Sequence, residues 1–161
     1  METPEIRKAN SSDVKDIIRL LVELAVFEKE PHAVKLTEEE LIRDGFGSNP
    51  KYECLLAEFN CEVVGLAFFT PRYSTWVGDT LHLEDLVVTE KMRGKGVGTL
   101  LYREFLLEAK HRGVNRVEWS VLDWNKTAID FYKKSGAIVD GLEQWKIVRM
   151  DKQTIEKYLS T

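Results

Sequence analysis

Cysteine is scarce in this chain, with only Cys54 and Cys61 in 161 residues. The two flank a tight turn expected at Asn60, so a disulfide is geometrically conceivable, but an intracellular chain with a core of this size needs no such staple. Neither cysteine has a candidate base close to it in sequence. The three histidines, His32, His82 and His111, show no metal-ligand spacing, and no metal is expected. No apolar run approaches the roughly 20 residues that span a bilayer, and the opening Met1-Glu2-Thr3-Pro4-Glu5 is acidic rather than signal-like. The expectation is a soluble, cytoplasmic chain with no membrane partner. Basic runs interleaved with aromatics are also missing and the net charge is −4, which argues against nucleic acid and suits a small cationic substrate better. Repeats and low-complexity segments are absent.

With 43% apolar and 31% charged residues, residues 1–161 are expected to form one domain around one core. Ile6 opens a short strand, and Asn10 and Ser11 offer caps for a helix over 12–28 with Val14, Ile17, Ile18, Leu21, Leu24 and Ala25 on one face. Thr37 and Glu40 form a capping box for a second helix, stopped by Gly45 and Gly47. Strands are expected over 54–59, 63–69 and 81–88 as an antiparallel meander, with Tyr73-Ser74-Thr75-Trp76 as a loop. A helix over 99–112 buries Leu101, Phe105 and Ala109. A strand over 117–122, a short helix over 127–134 and a hairpin of 138–139 with 146–150 complete the chain. This order predicts an α+β fold, a mixed, mostly antiparallel sheet with helices on both faces.

Between the strand ending at Val88 and the helix from Thr99 lies Arg93-Gly94-Lys95-Gly96-Val97-Gly98, which reads as a pyrophosphate cradle. Glycines let the backbone approach an anion, and the following helix turns its positive end to it. The mononucleotide P-loop does not fit, because Lys95 is followed by Gly96 with no hydroxyl for magnesium. The dinucleotide fingerprint does not fit either, since Gly94, Gly96 and Gly98 are spaced in twos. The remaining pattern, Arg93, Gly96 and Gly98 as R-x-x-G-x-G, resembles the acetyl-CoA loop of the GNAT superfamily of N-acetyltransferases. The order of elements is similar to the GNAT fold as well.

Further segments resemble one branch of that superfamily, the diamine and thialysine acetyltransferases, along nearly the whole chain. They are Leu24-Ala25-Val26-Phe27-Glu28, Asp44-Gly45-Phe46-Gly47, Leu83-Glu84-Asp85, and Trp124-Asn125 followed by Phe131-Tyr132-Lys133. Tyr73-Ser74-Thr75-Trp76 and Leu122-Asp123-Trp124-Asn125 are most similar to the thialysine N-ε-acetyltransferases, whereas the spermidine/spermine enzymes carry an acid where Ser74 stands. Phe27 stands where the polyamine enzymes carry tyrosine.

The resemblance implies acetyl-CoA as co-substrate and a small-molecule amine as acceptor. Glu84 would hold the ammonium and take its proton, directly or through water, and Asp85 stands beside it as a substrate contact. Backbone N–H groups of Leu86, Val87 and Val88 would face the thioester carbonyl. Tyr132 would protonate the departing thiolate. Arg93, Gly94, Lys95, Gly96, Val97, Gly98 and Thr99 would hold the pyrophosphate, with Arg93 and Lys95 adding charge. Asn125, Lys126, Thr127 and Ala128 would touch the CoA arm. Phe27, Glu28, Ser74, Trp76 and Glu143 are candidate substrate contacts, with Trp76 and Trp145 as cation–π walls. A homodimer is implied, with the site near the subunit boundary. A polyamine acetyltransferase, a domain that binds acetyl-CoA as a sensor without transfer, and a protein or N-terminal acetyltransferase stay open as alternatives.

Overall fold

Asn60 and Cys61 both adopt positive φ, 52° and 60°, the conformation of a two-residue type I′ hairpin turn. They join β2 (Glu53–Phe59) to β3 (Glu62–Ser74) with Phe59 opposite Glu62. The computed structural model describes residues 3–139 and 148–160. Both cysteines are free thiols, Cys54 buried and Cys61 exposed on the turn.

The sheet has five strands in chain order. β1 (Glu5–Lys8) pairs antiparallel with β2, and β4 (Gly78–Val88) antiparallel with β3. β5 (Arg116–Glu118) runs parallel to β4. On one face lies α1 (Val14–Phe27), which follows a 3-10 turn capped by Asn10. Asp13 anchors that turn by accepting from the Asn10 amide and, bidentately, from Arg7, each at 2.8 Å. Beside it, α2 (Glu38–Gly45) starts at the expected capping box, with Thr37 and Glu40 bonding each other's backbone amides. Ile17, Leu20, Leu21 and Leu41 pack there on Leu56, Leu66 and Phe68. Tyr52 stacks on Phe68 at 4.3 Å and donates its hydroxyl to Leu41 O. The other face is covered by α3 (Val97–Arg112), whose Leu101, Phe105 and Ala109 fill the core against Leu55, Ala67 and Phe69. Helices on both faces of a mixed sheet are the arrangement expected from the sequence.

These elements form one compact unit, Met1–Ser120; residues Val121–Thr161 form a second. Within the second, α4 (Lys126–Lys134) is capped by Asn125, whose side chain accepts from Ala128 N at 3.2 Å. The chain leaves α4 through Gly136 at φ 91°. α5 (Lys152–Leu159) is capped by Asp151, which accepts from Thr154 N at 2.8 Å.

Several boundaries differ from the sequence expectation. In the 73–76 segment expected as a loop, Tyr73 and Ser74 extend β3 and only Thr75 and Trp76 turn, because β4 starts at Gly78. The strand expected over 117–122 shrinks to 116–118, because its parallel ladder ends at His82, just before a bulge that bends β4. Residues 138–139 and 148–150 are not strand, and 140–147, the rest of the expected hairpin, lie outside the described residues. α5 was not expected, although Asp151 with Ile155, Tyr158 and Leu159 carries a capped helical pattern.

Candidate active site

The register of β3 and β4 slips by one residue in the middle of the sheet. Phe69 opposes Leu83, whereas Phe68 opposes Asp85, so Glu84 is a surplus residue on β4. In a regular strand, neighbours point to opposite faces. Here Leu81 and Leu83 belong to the α3-side core, and so do Leu86 and Val88, three residues on rather than two. Val87 belongs to the α1-side core together with Phe68, the partner of Asp85. The bulge therefore turns Glu84 and Asp85 to the same face, the one covered by α1. Glu84 Oε1 lies 3.8 Å from His82 Nε2 on that face.

Asp85 is half-buried, and burial, reinforced by the charges of Glu84 and Glu28, pushes its carboxyl up to about 6. Glu28 follows α1 directly, its amide closing the last turn on Leu24 O at 2.9 Å, and burial raises its carboxyl as well. Of the three acids expected to face a substrate, Glu28 and Glu84 are thus both close enough to Asp85 to raise its carboxyl.

β4 past His82 has no strand on its outer side among the described residues. Alternate peptide groups of Leu83–Val88 consequently keep hydrogen-bonding capacity that the sheet does not use. This open edge, containing Leu86, Val87 and Val88, runs from the acids straight into the glycine loop. There Gly94 and Gly96 sit at φ 73° and 83°, and a Cβ on either would meet no atom within 4 Å. The backbone shape requires glycine, and the space the glycines leave open lies outside the protein. Gly96 is the N-cap of α3 and no side chain caps it, so Val97, Gly98 and Thr99 turn their first-turn amides toward the loop.

Arg93 holds this loop rather than extending from it. Its Nε donates to Val88 O at 3.0 Å, its guanidinium lies 4.9 Å from the Phe27 ring centre, and Glu23 is 4.0 Å away. Glu23 also accepts from the Thr89 hydroxyl at 2.9 Å and the Glu90 amide at 2.7 Å. Phe27 accordingly stands under Arg93, beside the loop. Lys95 is exposed. Nothing in the sequence pattern singled out Glu23 or Thr89, because their contact spans 66 residues. The metal-ligand test applied to the histidines does not bring out His82, although the His82-x-Glu84 spacing on a strand already places the two on one face.

Ser74 and Trp76 are not brought to Glu84 within one chain. They occupy the β3–β4 hairpin tip, where Ser74 opposes Gly78 and its Oγ accepts from Trp76 N at 3.2 Å. Glu84 lies six residue steps along β4 from Gly78, about 20 Å at the usual strand rise. Trp76 is 82% exposed. In the second unit, Tyr132 is buried on α4 with its ring 5.3 Å from Phe131. Asn125 is engaged in capping, Lys126 donates to Asp123 O at 2.8 Å, Thr127 is exposed and Ala128 half-buried. Glu143 and Trp145 lie outside the described residues.

The profile of the Acetyltransferase (GNAT) family matches residues 15–137. The chain belongs to that family. This acetyltransferase is 42% identical over 145 residues to the thialysine N-ε-acetyltransferase of Mus musculus, covering 85% of each chain. It is 34% identical to the human spermidine/spermine N(1)-acetyltransferase-like protein 1 over 96% of its own length and 24% of that protein's. An integron cassette protein from the mobile metagenome of V. cholerae shares the fold, with a TM-score of 0.77, 22% identity and full coverage of both chains. The chain is therefore an N-acetyltransferase enzyme of GNAT fold that acts on an amine. Among the described residues, no group of three or more His, Cys, Asp or Glu is placed to hold a metal, and no helix is long and apolar enough to cross a membrane.

Proposed function

We propose that this acetyltransferase moves the acetyl group of acetyl-CoA to the terminal amine of a small amino-acid-like substrate such as thialysine, by direct attack of the amine on the thioester. The observation that carries the reading is the bulge, which sets Glu84 and Asp85 side by side where the open edge of β4 leads into the glycine loop. An alkyl ammonium ordinarily titrates near 10.4 and must lose a proton before it attacks. Asp85 and Glu28 hold the incoming ammonium, and Glu84 then takes its proton, directly or through a water. The amine then attacks the carbonyl carbon, and an amide of the Leu86–Val88 edge donates to the developing oxyanion. Collapse, with loss of the second nitrogen proton to water, breaks the C–S bond and expels the thiolate. Protonation of that thiolate by Tyr132, a phenol of ordinary value about 10 against about 8.5 for a thiol, rests on the sequence resemblance. The same resemblance supports contacts from Asn125–Ala128 to the CoA arm and from Glu143 to the substrate.

The pyrophosphate is held by amides of Gly94–Thr99 with Lys95 adding charge, while Arg93 braces the loop from behind. We assign the enzyme as a homodimer, because Ser74 and Trp76 are too far from Glu84 to serve the site of their own chain. From a second copy, the exposed hairpin tip could complete it.

A polyamine acetyltransferase is the second reading, favoured by the gathering of three acids at one spot. Release of free CoA from acetyl-CoA, measured against thialysine, lysine, spermidine, spermine and putrescine, tests both. Preference for thialysine or lysine supports the proposal, and preference for spermidine or spermine establishes the second reading. Tight acetyl-CoA binding without release on any of these amines leaves a protein or N-terminal acceptor, or a sensor.

A further inference from the structure

His82 precedes Glu84 by two residues on β4 and shares its face, with Nε2 3.8 Å from Glu84 Oε1. Its Nδ1 is the one buried side-chain nitrogen or oxygen among the described residues that lacks a hydrogen-bond partner. Any form with a proton on Nδ1 would bury an N–H without an acceptor, which is disfavoured. The ring's proton therefore belongs on Nε2, facing Glu84. The other groups around it do not compete for that donor. Across β3 its partner is the uncharged Thr70. Across β5 its partner Glu118 is already bound by Arg72 at 2.6 Å and Arg116 at 3.0 Å. On its own strand, Asp85 lies beyond Glu84.

We propose that His82 is a positioning residue for Glu84, an inference that rests on the reading of Glu84 as the group that takes the substrate's proton. Glu84 is exposed and sits on a bulge, where neither a regular ladder nor tight packing fixes its side chain. The imidazole supplies the missing constraint. A rotation of the Glu84 side chain that shortens 3.8 Å by about 1 Å makes the Nε2–H···Oε1 hydrogen bond. One carboxylate oxygen is then held by His82 and the other is left directed at the substrate. A neutral donor orients the carboxylate without cancelling the charge that attracts an ammonium, which a lysine at this position would do.

The test combines kinetics with nitrogen NMR. His82→Ala should lower kcat about 10- to 100-fold, the scale of losing a catalytic group's orientation, with the KM for acetyl-CoA unchanged. His82→Gln, whose amide N–H can reach the former Nε2 position, should recover most of the loss. With Glu84→Gln as background, His82→Ala should cost little more, because the two act as one unit. Full turnover by His82→Ala, or losses that multiply in the double variant, overturn the proposal. Independently of any activity, 15N-labelled histidine in the unmodified protein should report the His82 proton on Nε2, with a resonance that moves in Glu84→Gln. A proton on Nδ1, or no movement, overturns the proposal even if the His82 variants fold poorly. Turnover retained by Glu84→Gln alone would instead remove the base reading, and absence of turnover on every small amine would remove the proposed substrate class.

Discussion

The Thr89 hydroxyl donates to Glu23 Oε2 at 2.9 Å, tying the end of β4 to the middle of α1. The same carboxylate takes the Glu90 amide at 2.7 Å and lies 4.0 Å from Arg93. The loop read as a phosphate cradle is thus held from the helix that ends at Phe27 and Glu28. Glu23→Ala should destabilise the protein by about 1–3 kcal/mol, through two lost bonds to a charged acceptor, and should weaken acetyl-CoA several-fold. Denaturant unfolding and calorimetric titration check the two effects. Unchanged affinity would show that the loop keeps its shape without α1.

Gly96→Asp should abolish detectable acetyl-CoA binding while the protein stays folded. Gly96 sits at φ 83° with open space where a side chain would go. Aspartate is strained there and brings a negative charge to the place proposed for a phosphate. Calorimetry on the variant, with circular dichroism to establish folding, decides; normal affinity sinks the loop assignment.

Asp85 links the site to stability through pH. Its carboxyl, ordinarily near 3.8, is raised to about 6 in the fold by burial, then by Glu84 and Glu28. Between these values the folded state binds the proton that the unfolded chain has released, so stability falls as pH rises from about 4 to about 6. Asp85→Asn carries no charge at any pH. It should be more stable than the unmodified protein by about 1–3 kcal/mol at pH 7, with the difference gone below about pH 4. Its activity should fall. Unfolding at pH 4 and pH 7 measures the gap, and a pH-independent gap contradicts the assignment.

Tyr132→Phe should reduce turnover about ten- to a thousand-fold and leave acetyl-CoA affinity nearly unchanged, because proton transfer is lost but ground-state binding is not. Steady-state kinetics paired with calorimetry separates these. Full turnover returns Tyr132 to a packing role on α4.

Ser74→Asp probes substrate choice. Aspartate can still accept the Trp76 amide that Ser74 Oγ accepts now, so the hairpin tip should survive the change. Kinetics on both substrates should show kcat/KM for thialysine above that for spermidine in the unmodified enzyme. The gap should narrow in the variant by up to about ten- to a hundred-fold, the worth of one charge-assisted hydrogen bond. A gap that does not change excludes Ser74 from substrate selection.

Much of this was legible in the sequence because it is locally encoded. The Thr37–Glu40 capping box, the Leu101, Phe105 and Ala109 stripe and the glycine run each involve residues within a few positions of one another, and each appears where expected. The acids Glu28, Glu84 and Asp85 stand out by resemblance, and the reason they meet is not visible in the local pattern. Leu81, Leu83, Leu86 and Val88 read as an ordinary strand unless the three-residue step from Leu83 to Leu86 is taken as a bulge. The Glu23–Thr89 tie and the partnerless Nδ1 of His82 depend on tertiary approach, which no local period encodes. Motif alone groups Ser74 and Trp76 with the acids, and strand length separates them.

The surplus residue at Glu84 also determines how this site can be altered or transplanted. Removing one residue between Leu83 and Leu86 would leave a single acid in a regular ladder, whereas replacing it by alanine would keep the bulge and lose one charge. A graft of Leu83-Glu84-Asp85-Leu86 onto an unbulged sheet would send the two acids to opposite sides, one of them into an apolar core. What such a transplant must carry is the shorter partner, Phe68-Phe69, because the mismatch in length between the two strands aims the acids.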